Sequence, residues 1–83
     1  MSDTLANVVG LAGSALFIAA YLYSNVARAI DFRLFNAANL VGAVLLIASL
    51  SVHFNLAAMV LEVSWALIAA FGLVKALAGR RAA

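Results

Sequence analysis

The sequence predicts an all-α, polytopic membrane protein with three transmembrane helices, and three observations predict it. Of the 83 residues, 69% are hydrophobic and 10% are charged, against about 45–50% and about 25% in soluble domains. No Asp, Glu, Lys or Arg occurs from Thr4 to Ala27 or from Leu34 to Leu61, and only Glu62 interrupts the stretch between Leu34 and Lys75. Within that longer stretch, the cluster Ser51-Val52-His53-Phe54-Asn55 is the one polar break. A mean hydropathy of +1.19, with no Pro and no Cys, excludes a soluble fold, disorder, collagen and a disulfide scaffold. A membrane β-barrel is excluded as well, because it needs at least about eight strands of period-two alternation.

The first window matches the roughly 20 residues that cross a hydrocarbon core of about 30 Å, which places helix one at about Leu5 to Tyr23. The second window is long enough for two spans. Asn55 is a good N-cap, so helices two and three are expected at about Phe35 to Val52 and Leu56 to Lys75, joined as a tight hairpin. Without Pro, all three are expected to be nearly straight. The start Met-Ser-Asp has no basic flank and the apolar run is long for a signal peptide, so helix one is expected to stay. The whole chain, 1–83, reads as one three-helix domain.

The basic residues give the orientation. Arg28 and Arg33 lie in the first connection, Lys75, Arg80 and Arg81 follow helix three, and the N-terminal tail and second connection carry none. All five fall on one side, which the positive-inside rule makes cytoplasmic, with the N-terminus out and the C-terminus in. The formal net charge of +2 is too small and scattered for a nucleic-acid-tracking stripe.

Each helix has one face enriched in small or polar residues. The series are Asn7, Gly10, Ser14, Phe17, Tyr21 and Ser24; Asn39, Gly42, Leu46, Ser49 and His53; and Ala58, Glu62, Trp65, Ala69, Gly72 and Ala76. In lipid, where tails solvate Leu as well as another helix does, such faces mark the protein-facing side. Gly10, Ser14, Gly42, Ser49 and Gly72 are the expected packing positions. Three helices enclose little space, so assembly into a symmetric oligomer, a dimer first, is the expected remedy.

Glu62 is the one acidic residue inside a span, a placement that costs about 2.5 to 3.5 kcal/mol for Asp at the bilayer centre and less toward the interface. It is a candidate contact for a proton or solute; alternatively its carboxyl, protonated or hydrogen-bonded, joins helix three to Ser14 or Ser49, or snorkels to the outer surface. Asn36 and Asn39, three apart on helix two, face protein and either bond between helices or line a polar path. Trp65, one turn beyond Glu62, either packs in the core or forms an apolar wall for a solute. His53 ends helix two at the outer surface, and Tyr21 and Tyr23 resemble interfacial anchors. One His, no Cys, no paired carboxylates and no Gly-rich phosphate loop leave no catalytic set, no metal site and no cofactor in view.

The run from Gly10 to Tyr21, then Phe35-Asn-Ala-Ala-Asn39-Leu-Val-Gly42, Ser49-Leu50, and Asn55 through Glu62-Val-Ser-Trp65 resembles a family of small, uncharacterised three-helix bacterial inner-membrane proteins. The resemblance spans nearly the whole chain, implies multi-pass residence in the bacterial inner (cytoplasmic) membrane, and brings no established activity. More distantly, the length and topology are similar to bacterial half-size sugar transporters, homodimers with a central solute site whose Pro-Gln hinge in helix one is absent here. Two functions are therefore expected to compete. One is a homo-oligomeric carrier or channel for a small solute, using Glu62, Asn36, Asn39 and Trp65. The other is an accessory or structural subunit packed against a larger membrane complex.

Overall fold

A computed structural model describes the backbone of residues 1–82 and the side chains of residues 1–79. The chain folds as α1 (Asp3–Val26), α2 (Phe32–Leu50) and α3 (Leu56–Ala82), with no strand among the described residues. At about 1.5 Å per residue, their 24, 19 and 27 residues give lengths of about 36, 29 and 40 Å, enough for a core of about 30 Å. All three are apolar enough to cross a membrane.

Local chemistry accounts for each boundary and for each departure from expectation. Helix α1 starts two residues early because the Ser2 hydroxyl accepts from the Leu5 amide at 3.1 Å, an N-cap. It continues past Tyr23 because Ser24 and Asn25 donate back to the Tyr21 carbonyl, at 2.7 and 2.9 Å, which satisfies polar side chains without ending the helix. Helix α2 begins at Phe32 rather than Phe35, since the Asp31 carboxylate accepts from the amides of Arg33 (3.0 Å) and Leu34 (3.3 Å). It stops at Leu50 rather than Val52: the Ser51 hydroxyl donates to the Ala48 carbonyl at 2.6 Å, and the amides of Val52 and His53 both turn onto the Ser49 carbonyl at 3.1 Å. Helix α3 starts at Leu56 as expected, with the Asn55 side-chain oxygen accepting from the Ala58 amide at 3.0 Å. It runs on past Lys75, because Ala76 to Ala78 are helix formers and Gly79 is a tolerated single glycine. The side chains of Arg80 and Arg81 lie outside the described residues.

Helix α2 is the centre. It packs against both neighbours, whereas among the described residues the backbones of α1 and α3 do not meet. Pairings of Ala6 with Ser49 and Gly13 with Gly42 run α1 antiparallel to α2. Those of Asn39 with Trp65 and Asn36 with Gly72 do the same for α2 and α3. The body is thin, 45 × 23 × 20 Å. This up-down-up course puts Arg28, Arg33 and Lys75 at one end. Asp3 and His53 meet at the other, with His53 Nε2 3.3 Å from Asp3 Oδ1. His53 thus sits in the connection after α2, not on its last turn.

The buried apolar side chains among the described residues are all alanines, Ala6, Ala20, Ala43 and Ala69. Larger apolar groups such as Leu11, Ile18, Leu67 and Ile68 each lie more than two-thirds exposed. Water would not tolerate so continuous an apolar exterior. Lipid does, and there close approach of backbones over small residues holds the helices together. The α1 seam is Ala6, Gly13 and Ala20, with Gly10 and Phe17 at its edge, rotated about one residue from the expected face. Asn7 and Tyr21 consequently point outward.

Candidate functional site

Glycines set how closely the helices approach. A Cβ on Gly13 would lie 2.7 Å from the Gly42 carbonyl oxygen, and one on Gly42 would lie 2.8 Å from the Phe17 ring, so α1 and α2 touch through bare backbone. Near the outer end, Gly10 leaves room for Ser49, whose hydroxyl crosses to the Ala6 carbonyl at 2.8 Å. Gly72 performs the same service between α3 and α2, since a Cβ there would lie 2.5 Å from Asn36 Oδ1. Ser14 makes no such crossing; its hydroxyl donates to the Gly10 carbonyl of its own helix at 3.0 Å.

With α1 and α2 locked, the side chains between α1 and α3 define a cleft floored by α2. The Trp65 indole N–H donates to Asn39 Oδ1 at 3.0 Å. Asn39 is itself buried, and its amide donates to the Phe35 carbonyl at 2.8 Å. Both ends of the Asn39 side chain are thereby used, which fixes the indole. The Phe17 ring meets Trp65 across the gap, with centroids 5.8 Å apart and planes inclined at 48°, a tilted aromatic pair. Phe17, Tyr21, Phe35, Asn39 and Trp65 line a cavity of about 230 Å³. On the other side of the Asn39–Trp65 bond, a smaller cavity of about 100 Å³ is lined by Asn36 and Asn39 with Phe35, Trp65, Ile68 and Ala69. Beyond it, Asn36, Gly72 and Lys75 border a wider groove with Phe32 and Ala76, of about 380 Å³.

Glu62 stands one helical turn from Trp65. It is only 9% exposed, and among the described residues its Oε1 has no hydrogen-bond partner. Among the described residues Glu62 makes no hydrogen bond to Ser14 or Ser49, whose hydroxyls donate to the Gly10 and Ala6 carbonyls. Leaving a buried polar atom unpaired costs about 1–3 kcal/mol, and more if it is charged.

The structure brings Asn36, Asn39 and Trp65 to one cavity, whereas Glu62, one turn from Trp65 on α3, lines none of the three cavities described. Asn36 donates to the Phe32 carbonyl at 2.8 Å and makes no bond to another helix. Trp65 remains 44% exposed, so it edges the cleft and is not a core residue. Tyr23 is tied down, its hydroxyl accepting from the Asp31 amide at 2.7 Å, whereas Tyr21 is 73% exposed. Sequence reasoning missed Phe35 and Gly13. Phe35 sits one helical turn before Asn39, a signal that could have placed it in the same cleft.

These features define a small helical membrane protein whose polar side chains gather between its helices. By comparison with known families, the chain belongs to a protein family of unknown function that matches residues 6–81. No curated protein and no solved structure matches it significantly, and no similarity to half-size sugar transporters is shown.

Proposed function

We propose that this protein is a homo-oligomeric carrier or channel for a small solute in the bacterial cytoplasmic membrane, with its N-terminus outside and its basic end inside. The observation that carries the reading is Glu62, a carboxyl within a span, nine-tenths buried, with an oxygen that no described group satisfies. An intramembrane ionisable residue marks a solute or proton path by default, and Glu62 makes no hydrogen bond to Ser14 or Ser49 among the described residues. Asn36 and Asn39 supply the polar lining toward the basic end, and Trp65 the wall. One copy is too thin to enclose a path; a second copy closing the open side between α1 and α3 makes six helices.

The test is proton flux in proteoliposomes loaded with a pH-sensitive dye. The parent collapses an imposed gradient, and Glu62→Gln, assembled to the same size, does not. Equal rates for the two proteins would remove Glu62 from the mechanism. The rival reading is an accessory subunit, favoured by the large apolar exterior of α3, on which Leu67, Ile68, Phe71 and Val74 are each more than 60% exposed. Gentle extraction from native membranes separates the two: a homo-oligomer alone supports the carrier, and a stoichiometric second polypeptide supports the subunit.

A further inference from the structure

The widest groove between α2 and α3 lies at the basic end of the molecule. Phe32, Asn36, Gly72, Lys75 and Ala76 line its volume of about 380 Å³. From Leu56 to Lys75, α3 rises about 29 Å at 1.5 Å per residue, which is close to the thickness of a hydrocarbon core, about 30 Å. Lys75 therefore stands at the depth where lipid phosphates begin. Its side chain is exposed and makes no ion pair among the described residues, and no acidic side chain lines the groove with it. Asp31 borders the neighbouring groove together with Arg33, and its carboxylate accepts from the Arg33 and Leu34 amides. Inside the groove, the Asn36 amide gives one hydrogen to the Phe32 carbonyl and has a second to give.

On its other flank Lys75 borders an apolar groove with Ala70, Phe71 and Val74, and Phe71 and Val74 are both exposed. A cation, a hydrogen-bond donor and a hydrocarbon surface thus meet at headgroup depth, and basic pockets between membrane helices recognise anionic headgroups. We propose that this groove holds the phosphate of one anionic glycerophospholipid against Lys75 and the Asn36 amide, with an acyl chain lying over Phe71 and Val74. A zwitterionic lipid would bring a second cation to a groove that offers it no acid, so the headgroup carries a net negative charge. A soluble phosphate ester would leave the apolar flank unused. The occupant is a lipid of the surrounding bilayer and not the transported solute, so the inference stands or falls separately from the carrier reading.

Native mass spectrometry counts the lipids that stay on a protein released from detergent. The purified full chain is titrated with dioleoyl phosphatidylglycerol and, in parallel, with phosphatidylcholine of the same acyl chains. The expected result is saturation at one phosphatidylglycerol per chain, with phosphatidylcholine bound more weakly. Lys75→Gln weakens the phosphatidylglycerol complex about fivefold, and Asn36→Leu weakens it about two- to tenfold through the lost hydrogen bond. Lys75→Arg keeps the charge and retains binding, which separates loss of charge from loss of fold. Arg28→Gln, at the same end of the molecule but outside the groove, weakens the complex less than Lys75→Gln does. Equal affinity for the two lipids, or a complex unchanged in Lys75→Gln, overturns the proposal. Equal weakening by Arg28→Gln and Lys75→Gln also overturns it, because the attraction then belongs to the basic end as a whole. Displacement of the lipid by excess sodium glycerol phosphate assigns the site to a soluble phosphate ester and rejects the lipid.

Discussion

Substituting Gly13 by alanine tests the α1–α2 contact on which the rest of the architecture depends. The added Cβ would stand 2.7 Å from the Gly42 carbonyl oxygen, 3.0 Å from Leu46 Cγ and 3.1 Å from Leu45 Cβ, where ordinary contact starts at 3.4 Å. The nearest atom is backbone, so no rotamer change relieves it; the helices must part by about 0.7 Å. A gap of about 0.5–1 Å forfeits a quarter to a half of each contact's dispersion energy along the seam, and overpacking in general costs about 1–3 kcal/mol. Against this stands the gain of about 1 kcal/mol for Gly→Ala inside a helix. The expected outcome is a net loss of up to about 2 kcal/mol. Reversible unfolding in mixed micelles of increasing SDS fraction, followed by helical circular dichroism and Trp65 emission, measures it. Gly79→Ala is the control, since among the described residues nothing comes within 4 Å of a Cβ there, and its stability stays at or slightly above the parent's. If Gly13→Ala were as stable as Gly79→Ala, the close approach of α1 and α2 would be refuted.

Ser49→Ala removes the bond to the Ala6 carbonyl and lowers stability in the same titration by about 0.6 kcal/mol, the mean for interhelical bonds in membranes. Ser14→Ala, whose bond stays within α1, leaves stability within about 0.5 kcal/mol of the parent. Asn39→Leu frees the indole: Trp65 emission anisotropy falls, and stability drops by no more than about 1.7 kcal/mol. Asp31→Ala removes the cap of α2 at a cost of about 1 kcal/mol, visible as faster hydrogen exchange at the Arg33 and Leu34 amides while α3 is unchanged.

The number of helices and the break at Asn55 were legible in the sequence because hydrocarbon excludes charge, so a gap in the charge pattern is a span. Helix ends were less legible. Ser24 and Asn25 look like terminators, yet in lipid they bond back to Tyr21 and the helix continues. The Asp31 cap is masked in the sequence because Phe32 and Arg33 stand between it and the uncharged run that begins at Leu34. The seam of α1 lies about one residue from the polar series through Asn7 and Tyr21, because backbone approach depends on small size and Ala6, Gly13 and Ala20 supply it. At the site, Glu62 stood out by charge alone. The bond between Asn39 and Trp65 did not, since it depends on the relative height of two helices that only packing determines. The separation of α1 from α3, which opens the cleft, has no signature in the spacing of residues along any one helix.

A chain that crosses a bilayer three times places Arg28 and His53 on opposite faces. The protein contains no cysteine, so single cysteines placed at His53 and at Arg28 are clean reporters for a membrane-impermeant maleimide. The predicted result is labelling of His53→Cys on intact cells and of Arg28→Cys only after the membrane is opened. Labelling of both from the same side would contradict it.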